Sequence, residues 1–302
     1  MSDDLAELLA TGERAAFHGR PASGVVVLES AFELARTDGK GAEATAAAWL
    51  LGVCLAAAGK FGGSLAVLEP LVAAGTSEVP ERRLFAALAA STSAAVRRQL
   101  GQLAEAKLLD DAAFAYSEGA PEATFDATIG LAADAVVNED AATAQHLLQQ
   151  ARLLTDGHLD WWRQRVRLAW VEAEVALLLG EPAQAGEILL QAVQVAEVSG
   201  APRHVAKTLL LLAVAQVQSG ELADAENTLR RSATLAESLG ALPTLWPSRA
   251  LLGALLEESS PAESAKSLAA ARSGVIAIAD DLPDDLRDVW LDRPDVAALL
   301  GG

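Results

Sequence analysis

The sequence predicts an all-α solenoid of about seven antiparallel helix hairpins. Three observations carry that expectation. Hydrophobic residues make up 52% of the 302-residue chain while aromatics supply only 4%. The excess is alanine and leucine, strong helix formers, and alanine lets helices approach closely. β-Branched residues show no sustained alternation, and Val25-Val26-Val27 is the only dense cluster, so almost no sheet is expected. A frame of apolar helix, small turn residue and second helix recurs at a spacing of about 40 residues. Such units need pack only on their neighbours, which suits a chain long for one globular core.

The frame is clearest late in the chain. Gly220-Glu221-Leu222-Ala223-Asp224-Ala225 leads to Leu229 and Leu235-Ala236. One unit earlier, Gly180-Glu181-Pro182-Ala183-Gln184-Ala185 leads to Leu189, and one unit later Ser260-Pro261-Ala262-Glu263-Ser264-Ala265 leads to Leu268. Towards the N-terminus, Glu139 leads to Ala144 and Leu148, and Gly101 to Ala106 and Leu109. Gly59 leads through Phe61 to Ser64 and Leu68, and Gly19 through Pro21 to Gly24 and Leu28. The turn glycine ends the first helix. The small residue after it marks where the paired helices cross, and a larger side chain there would push them apart. The leucines fill the grooves between hairpins.

The segments Gly39-Lys40-Gly41, Thr76-Ser77-Glu78-Val79-Pro80, Gly119-Ala120-Pro121, Asp156-Gly157 and Gly200-Ala201-Pro202 read as loops. Asp160 reads as the N-cap of a long helix from Trp161 to about Leu179. Gly12 and Gly24 make the first hairpin a poor helix pair. The expected organisation is a solenoid over residues 1–282 and an acidic C-terminal capping segment over 283–302, with one short helix near Leu286 to Leu291. That segment shields the open face of the last repeat; the alternative makes it a docking element for a partner.

Trp49-Leu50-Leu51-Gly52-Val53-Cys54-Leu55-Ala56-Ala57-Ala58-Gly59 resembles the first helix of the tetratricopeptide repeat family. Gly12, Gly52, Ala94, Ala132, Ala173, Ala213 and Gly253 match the family's small eighth position. The usual unit is about 34 residues, so the helices here are longer. Units of this length are similar to those in helical sensor domains of bacterial regulatory ATPases and transcriptional activators. The tail from Asp285 to Val296 is similar to endings of such arrays. The resemblance implies a right-handed superhelical solenoid whose first helices line a concave groove. Carried over position by position, the groove receives Arg167, Trp170, Glu174 and Leu177 from the fifth hairpin. Lys207, Leu210, Val214 and Val217 come from the sixth, Ser91 and Arg98 from the third, Trp49 from the second and Asp126 from the fourth.

Arg163, Arg167, Trp170 and Glu174 lie on one helix face, a basic and aromatic stripe on an acidic protein. Arginine and tryptophan combine apolar area with directional hydrogen bonding. With Lys207, Trp49 and Arg98 they form the candidate partner-binding groove, suited to a protein or peptide with an acidic or C-terminal carboxylate motif. In the rival reading Trp161, Trp162 and Trp170 fill the inter-repeat core, and the arginines pair with Glu172, Glu174 or carboxylates of the next repeat. Full burial and internal pairing of Arg167 and Trp170 would remove the assignment.

The net charge of −18 argues against nucleic acid and anionic membranes as partners. Cys54 is the single cysteine, so no internal disulfide or thiolate metal cluster is expected; inside an apolar helix it reads as a small hydrophobe. His18, His146, His158 and His204 lack metal-ligand spacing. Gly39-Lys40-Gly41 lacks the rest of a phosphate loop, and no Gly-x-Ser-x-Gly occurs. Carboxylate pairs such as Glu257-Glu258 and Asp110-Asp111 read as solvated faces. Met1 to Leu5 lacks the pattern of a signal peptide, and the apolar run from Ala46 to Gly59 is shorter than the roughly 20 residues of a membrane span. The expectation is a cytoplasmic, non-enzymatic scaffold without cofactor or metal, binding a protein or peptide in bacterial signalling or transcriptional regulation. Two alternatives stand beside it: a small-ligand or peptide sensor that changes solenoid curvature, and a module that self-assembles into a homo-oligomer through an open first hairpin.

Overall fold

The computed structural model describes residues 2–158 and 160–301. Among the described residues there are sixteen α-helices and no strand. Seven hairpins follow one another: α1 (Ser2–His18) with α2 (Pro21–Thr37), α3 (Gly41–Ala58) with α4 (Phe61–Val72), α5 (Pro80–Leu100) with α6 (Leu103–Tyr116), α7 (Pro121–Val137) with α8 (Ala141–Thr155), α9 (Trp162–Leu178) with α10 (Pro182–Val198), α11 (Pro202–Gln218) with α12 (Leu222–Leu239), and α13 (Leu242–Leu255) with α14 (Pro261–Ala279). Two short helices, α15 (Asp284–Leu291) and α16 (Pro294–Leu300), follow the seventh hairpin. The second of these differs from the single capping helix expected, because Pro294 restarts a helix in the first-turn position that tolerates proline.

Helix ends follow the glycines. Gly59, Gly101, Gly180 and Gly220 turn within hairpins at positive φ, and Gly39, Gly119, Gly157, Gly200 and Gly240 do the same between them. The left-handed conformation that ends a helix carries no Cβ penalty at glycine. Glu139 adopts the same conformation, at φ 57°, without that freedom. Asp160 does not cap α9. Trp161 occupies the N-cap, with its ring stacked on His158 at 4.2 Å and edge-on to Phe125 at 6.5 Å, so packing fixes where the helix begins.

The small residues of the frame lie where helices cross. Gly12, Gly52, Ala94, Ala132, Ala173, Ala213 and Gly253 are all buried. A Cβ on Gly12, Gly52 or Gly253 would overlap Leu28, Leu68 or Leu268 respectively. The first hairpin is therefore not weakened by its glycines: α1 and α2 are regular helices, and Gly24 makes room for the Cys54 sulfur. In the seventh hairpin the register slips by one. Ala265 is exposed, and Ser264 takes the crossing, donating to the Gly253 carbonyl at 2.7 Å as Ser64 donates to Gly52 at 2.8 Å.

The superhelix is tight enough for its turns to touch. α1 packs on α11, α3 on α13 and α5 on α15, a return after five hairpins. At the first contact the His18 imidazole Nδ1 meets the Ser199 and Gly200 carbonyls at 3.1 and 3.3 Å, and Arg203 donates to the Ala16 carbonyl at 3.1 Å. At the other end Phe61, Val96, Leu100, Trp246, Ile278, Leu286 and Trp290 share one core, joining the second and third hairpins to the last hairpin and the two final helices. Arg293 lies over the rings of Trp246 and Trp290 and bonds the Gln99 carbonyl. Helix α3 is long and apolar enough to cross a membrane, but its Leu50, Leu51 and Cys54 are packed inside this coil.

Candidate ligand cavity

Each hairpin turns its first helix inward, so the seven helices α1, α3, α5, α7, α9, α11 and α13 surround an axial cavity of about 520 Å³. All seven residues of the expected groove line it: Trp49, Arg98, Arg163, Arg167, Trp170, Glu174 and Lys207. Ser91, Asp126 and Leu210 also reach it, whereas Leu177, Val214 and Val217 do not. The stripe thus points inward, into a half-open space around which the stacked turns coil.

Trp170 is only 8% exposed. Its indole N–H donates to Thr208 at 2.8 Å, its ring stacks on His204, and the Lys207 ammonium sits 4.1 Å from its centroid. The Arg167 side chain is 21% exposed and pairs with Asp126, which also accepts from Arg163 at 3.1 Å. The arginines therefore pair with the preceding repeat, not with Glu172, Glu174 or the next one. Trp170 meets the burial and pairing that count against a contact role, while Arg167 keeps a cavity-facing edge. Trp161 and Trp162 do pack in inter-repeat cores, as the rival reading held.

Two walls of the cavity carry charge. On the first, Arg98 of α5 bridges Asp110 of α6, at 2.7 Å, and Asp134 of α7. Asp110 is fully buried, not solvated as its sequence setting suggested; Gly130 leaves the space its carboxylate fills. Burial pushes the Asp110 carboxyl up to about 7 against the pull of Arg98, and raises Asp134 in the same sense.

The second wall, α9 and α11, presents Arg163, Arg167, Arg203 and Lys207 against Asp126 and Glu174. Burial lowers Lys207 to about 8, with Glu174 opposing, and raises Glu174. It lowers Arg203 to about 10 and holds His204 well below the usual histidine range, so that ring is neutral. Apolar side chains of Phe17, Trp49, Val53, Ile129 and Val136 complete the lining. Cys54 is no reactive thiol: burial pushes it up to about 12.

Phe17, Arg203 and His204 also line the cavity, beyond the residues to which the sequence pointed. The repeat period held the signal for Arg203, which stands one unit after Arg163, as Lys207 stands one unit after Arg167. Phe17 meets Arg163 across the contact between turns, which no local pattern encodes, whereas His204 packs on Trp162 and Trp170 of the neighbouring hairpin.

Residues 167–238 match the family model of the tetratricopeptide repeat. The solenoid is tetratricopeptide-like. Its matched segment covers the fifth and sixth hairpins, including most of the second wall. The tetratricopeptide-like fold extends over the whole chain in a comparison of structures: a Rap protein complexed with competence and sporulation factor superposes with a TM-score of 0.65 at 12% identity, over 100% of this chain and 86% of that one. The apo form of RapI gives a TM-score of 0.48 at 11% identity, over 99% and 84% of the two chains. No curated protein matches the sequence.

Proposed function

We propose that this chain is a non-enzymatic regulatory binding protein that takes a short peptide, or a molecule of similar size, into its axial cavity. The observation that carries the reading is the half-open space of about 520 Å³, lined by every first helix, into which charged side chains of α5, α7, α9 and α11 converge beside apolar ones. Pockets for small ligands run to roughly 300–1,000 Å³, with apolar walls and a few placed polar groups. A folded protein partner is too large for such a space, so the geometry favours the sensor alternative over a scaffold that grips a whole domain. A protein of similar fold has been solved with competence and sporulation factor, and bacterial cytoplasmic signalling is the setting we assign. Ligand held by both α9 and α11 spans neighbouring repeats, so occupancy shifts the curvature of the coil. Self-assembly through an open first hairpin has less support, since α1 packs on α11 as well as within its own hairpin.

Thermal-shift screening of the full chain against short peptides and small metabolites tests this. A stabilising compound should lose its effect in Ala95→Phe and Ala133→Phe, which place bulk in the cavity, while circular dichroism shows both variants folded. Stabilisation that persists in both filled variants would place the ligand elsewhere and sink the reading.

A further inference from the structure

Among the described residues, Arg203 is a cation with no carboxylate paired to it. Its Nη2 donates to the Ala16 carbonyl, but its Nε is buried without a partner. No carboxylate is among the groups whose charge acts on it; its charged neighbours in the cavity are Arg163 and Arg167, and the Cys54 thiol is the remaining one. Next to it His204 is 3% exposed, and its Nδ1 has no partner either. Arg163 and Arg167 share the single carboxylate of Asp126, and Lys207 leans on the face of Trp170. A buried unpaired charge is costly, and arginine cannot escape the cost by giving up its proton.

We propose that the α9–α11 wall, where it meets α1, binds the carboxylate of an organic acid with an apolar body, and that Arg203 is its main contact. This rests on the cavity reading above and names the ligand's chemistry. The guanidinium fork suits one carboxylate in a charge-assisted pair. A multiply charged head group is disfavoured, because Glu174 of α9 stands on this wall and Asp126 of α7 faces it. The apolar body lies against Phe17, Trp49, Val53 and Ile129, which line the cavity from α1, α3 and α7. Because Arg203 also holds the last turn of α1, the occupied site ties one superhelical turn to the next.

Isothermal titration calorimetry on the full chain tests this with decanoate, decanol and decyltrimethylammonium, which share a tail and differ in charge. A short apolar peptide with a free or an amidated C-terminus forms the second arm. Decanoate, or the free-carboxylate peptide, should bind at least about tenfold tighter than its uncharged or cationic counterpart, a difference of about 1.4 kcal/mol. The arm that responds tells whether the acid is a free molecule or a chain end. Arg203→Met should erase the preference, and Arg203→Lys should keep part of it. Equal binding of decanol and decanoate, or unchanged decanoate binding by Arg203→Met, would overturn the anion site and leave the cavity reading standing. No binding by either acid would overturn it too. The head-group comparison needs no variant, so a folding defect in Arg203→Met cannot blunt the test.

Discussion

The two charged walls of the cavity solve opposite problems. On the α5–α7 wall one arginine faces two buried carboxylates, so negative charge is in excess. On the α9–α11 wall four cations face two carboxylates, so positive charge is in excess. A buried carboxyl whose pKa is raised into the neutral range can relieve its excess by taking a proton. An arginine has no such exit. The first wall is therefore complete in itself and acts as a structural tie between the third and fourth hairpins. The second is complete only with an anion supplied from outside.

Matched substitutions put this contrast at risk. The largest effect belongs to Arg98→Met, which strands Asp110 and Asp134 in the interior. Chemical denaturation at pH 8 should show a loss of about 3–5 kcal/mol. The loss should shrink at pH 5, where Asp110 is protonated. Asp110 sits at about 7 in the folded chain against 3.8 when free. Its stabilising contribution is thus fully present below about pH 4 and is lost as pH rises through about 7. Stability measured across that window should fall with rising pH, and Asp110→Asn should flatten the profile; an unchanged profile would show that Asp110 ionises normally.

The same exchange on the other wall should behave differently. Arg203→Met removes a cation without counter-charge, and the unliganded protein should change by less than about 1 kcal/mol, in the stabilising direction. A loss as large as that of Arg98→Met would mean that Arg203 is structural and would erase the contrast. The smallest effect is expected at the end of α7, where Glu139→Gly relieves a left-handed backbone. It should raise stability by about 0.5–1 kcal/mol and leave ligand affinity untouched; a fall in melting temperature would show that the Glu139 side chain holds the turn.

Much of this was legible in the sequence because repeats are local. Glycines and the small residues after them placed the hairpins, and the leucines of the same frame, such as Leu189 and Leu229, proved fully buried. The inward direction of Arg163, Arg167 and Trp170 followed from helical spacing. What the sequence did not reveal depends on contacts between turns. Nothing around His18 indicates that it will meet Ser199, and Asp110 beside Asp111 looks solvated until Arg98 and Gly130 are brought to it. The slip from Ala265 to Ser264 was hidden because either residue is small enough for the crossing.

The core shared by Phe61 and Trp290 bears on how the chain is made. A linear repeat array can fold from its first unit onward, each unit finished as it leaves the ribosome. Here Phe61, Val96 and Leu100 are synthesised long before Leu286 and Trp290, the side chains that cover them. Until those side chains follow, the nascent chain carries that apolar patch uncovered, a period in which chaperones have something to hold. Once the tail arrives it locks early and late hairpins at a single stroke, so the array melts as one cooperative body where an open solenoid would fray from its ends.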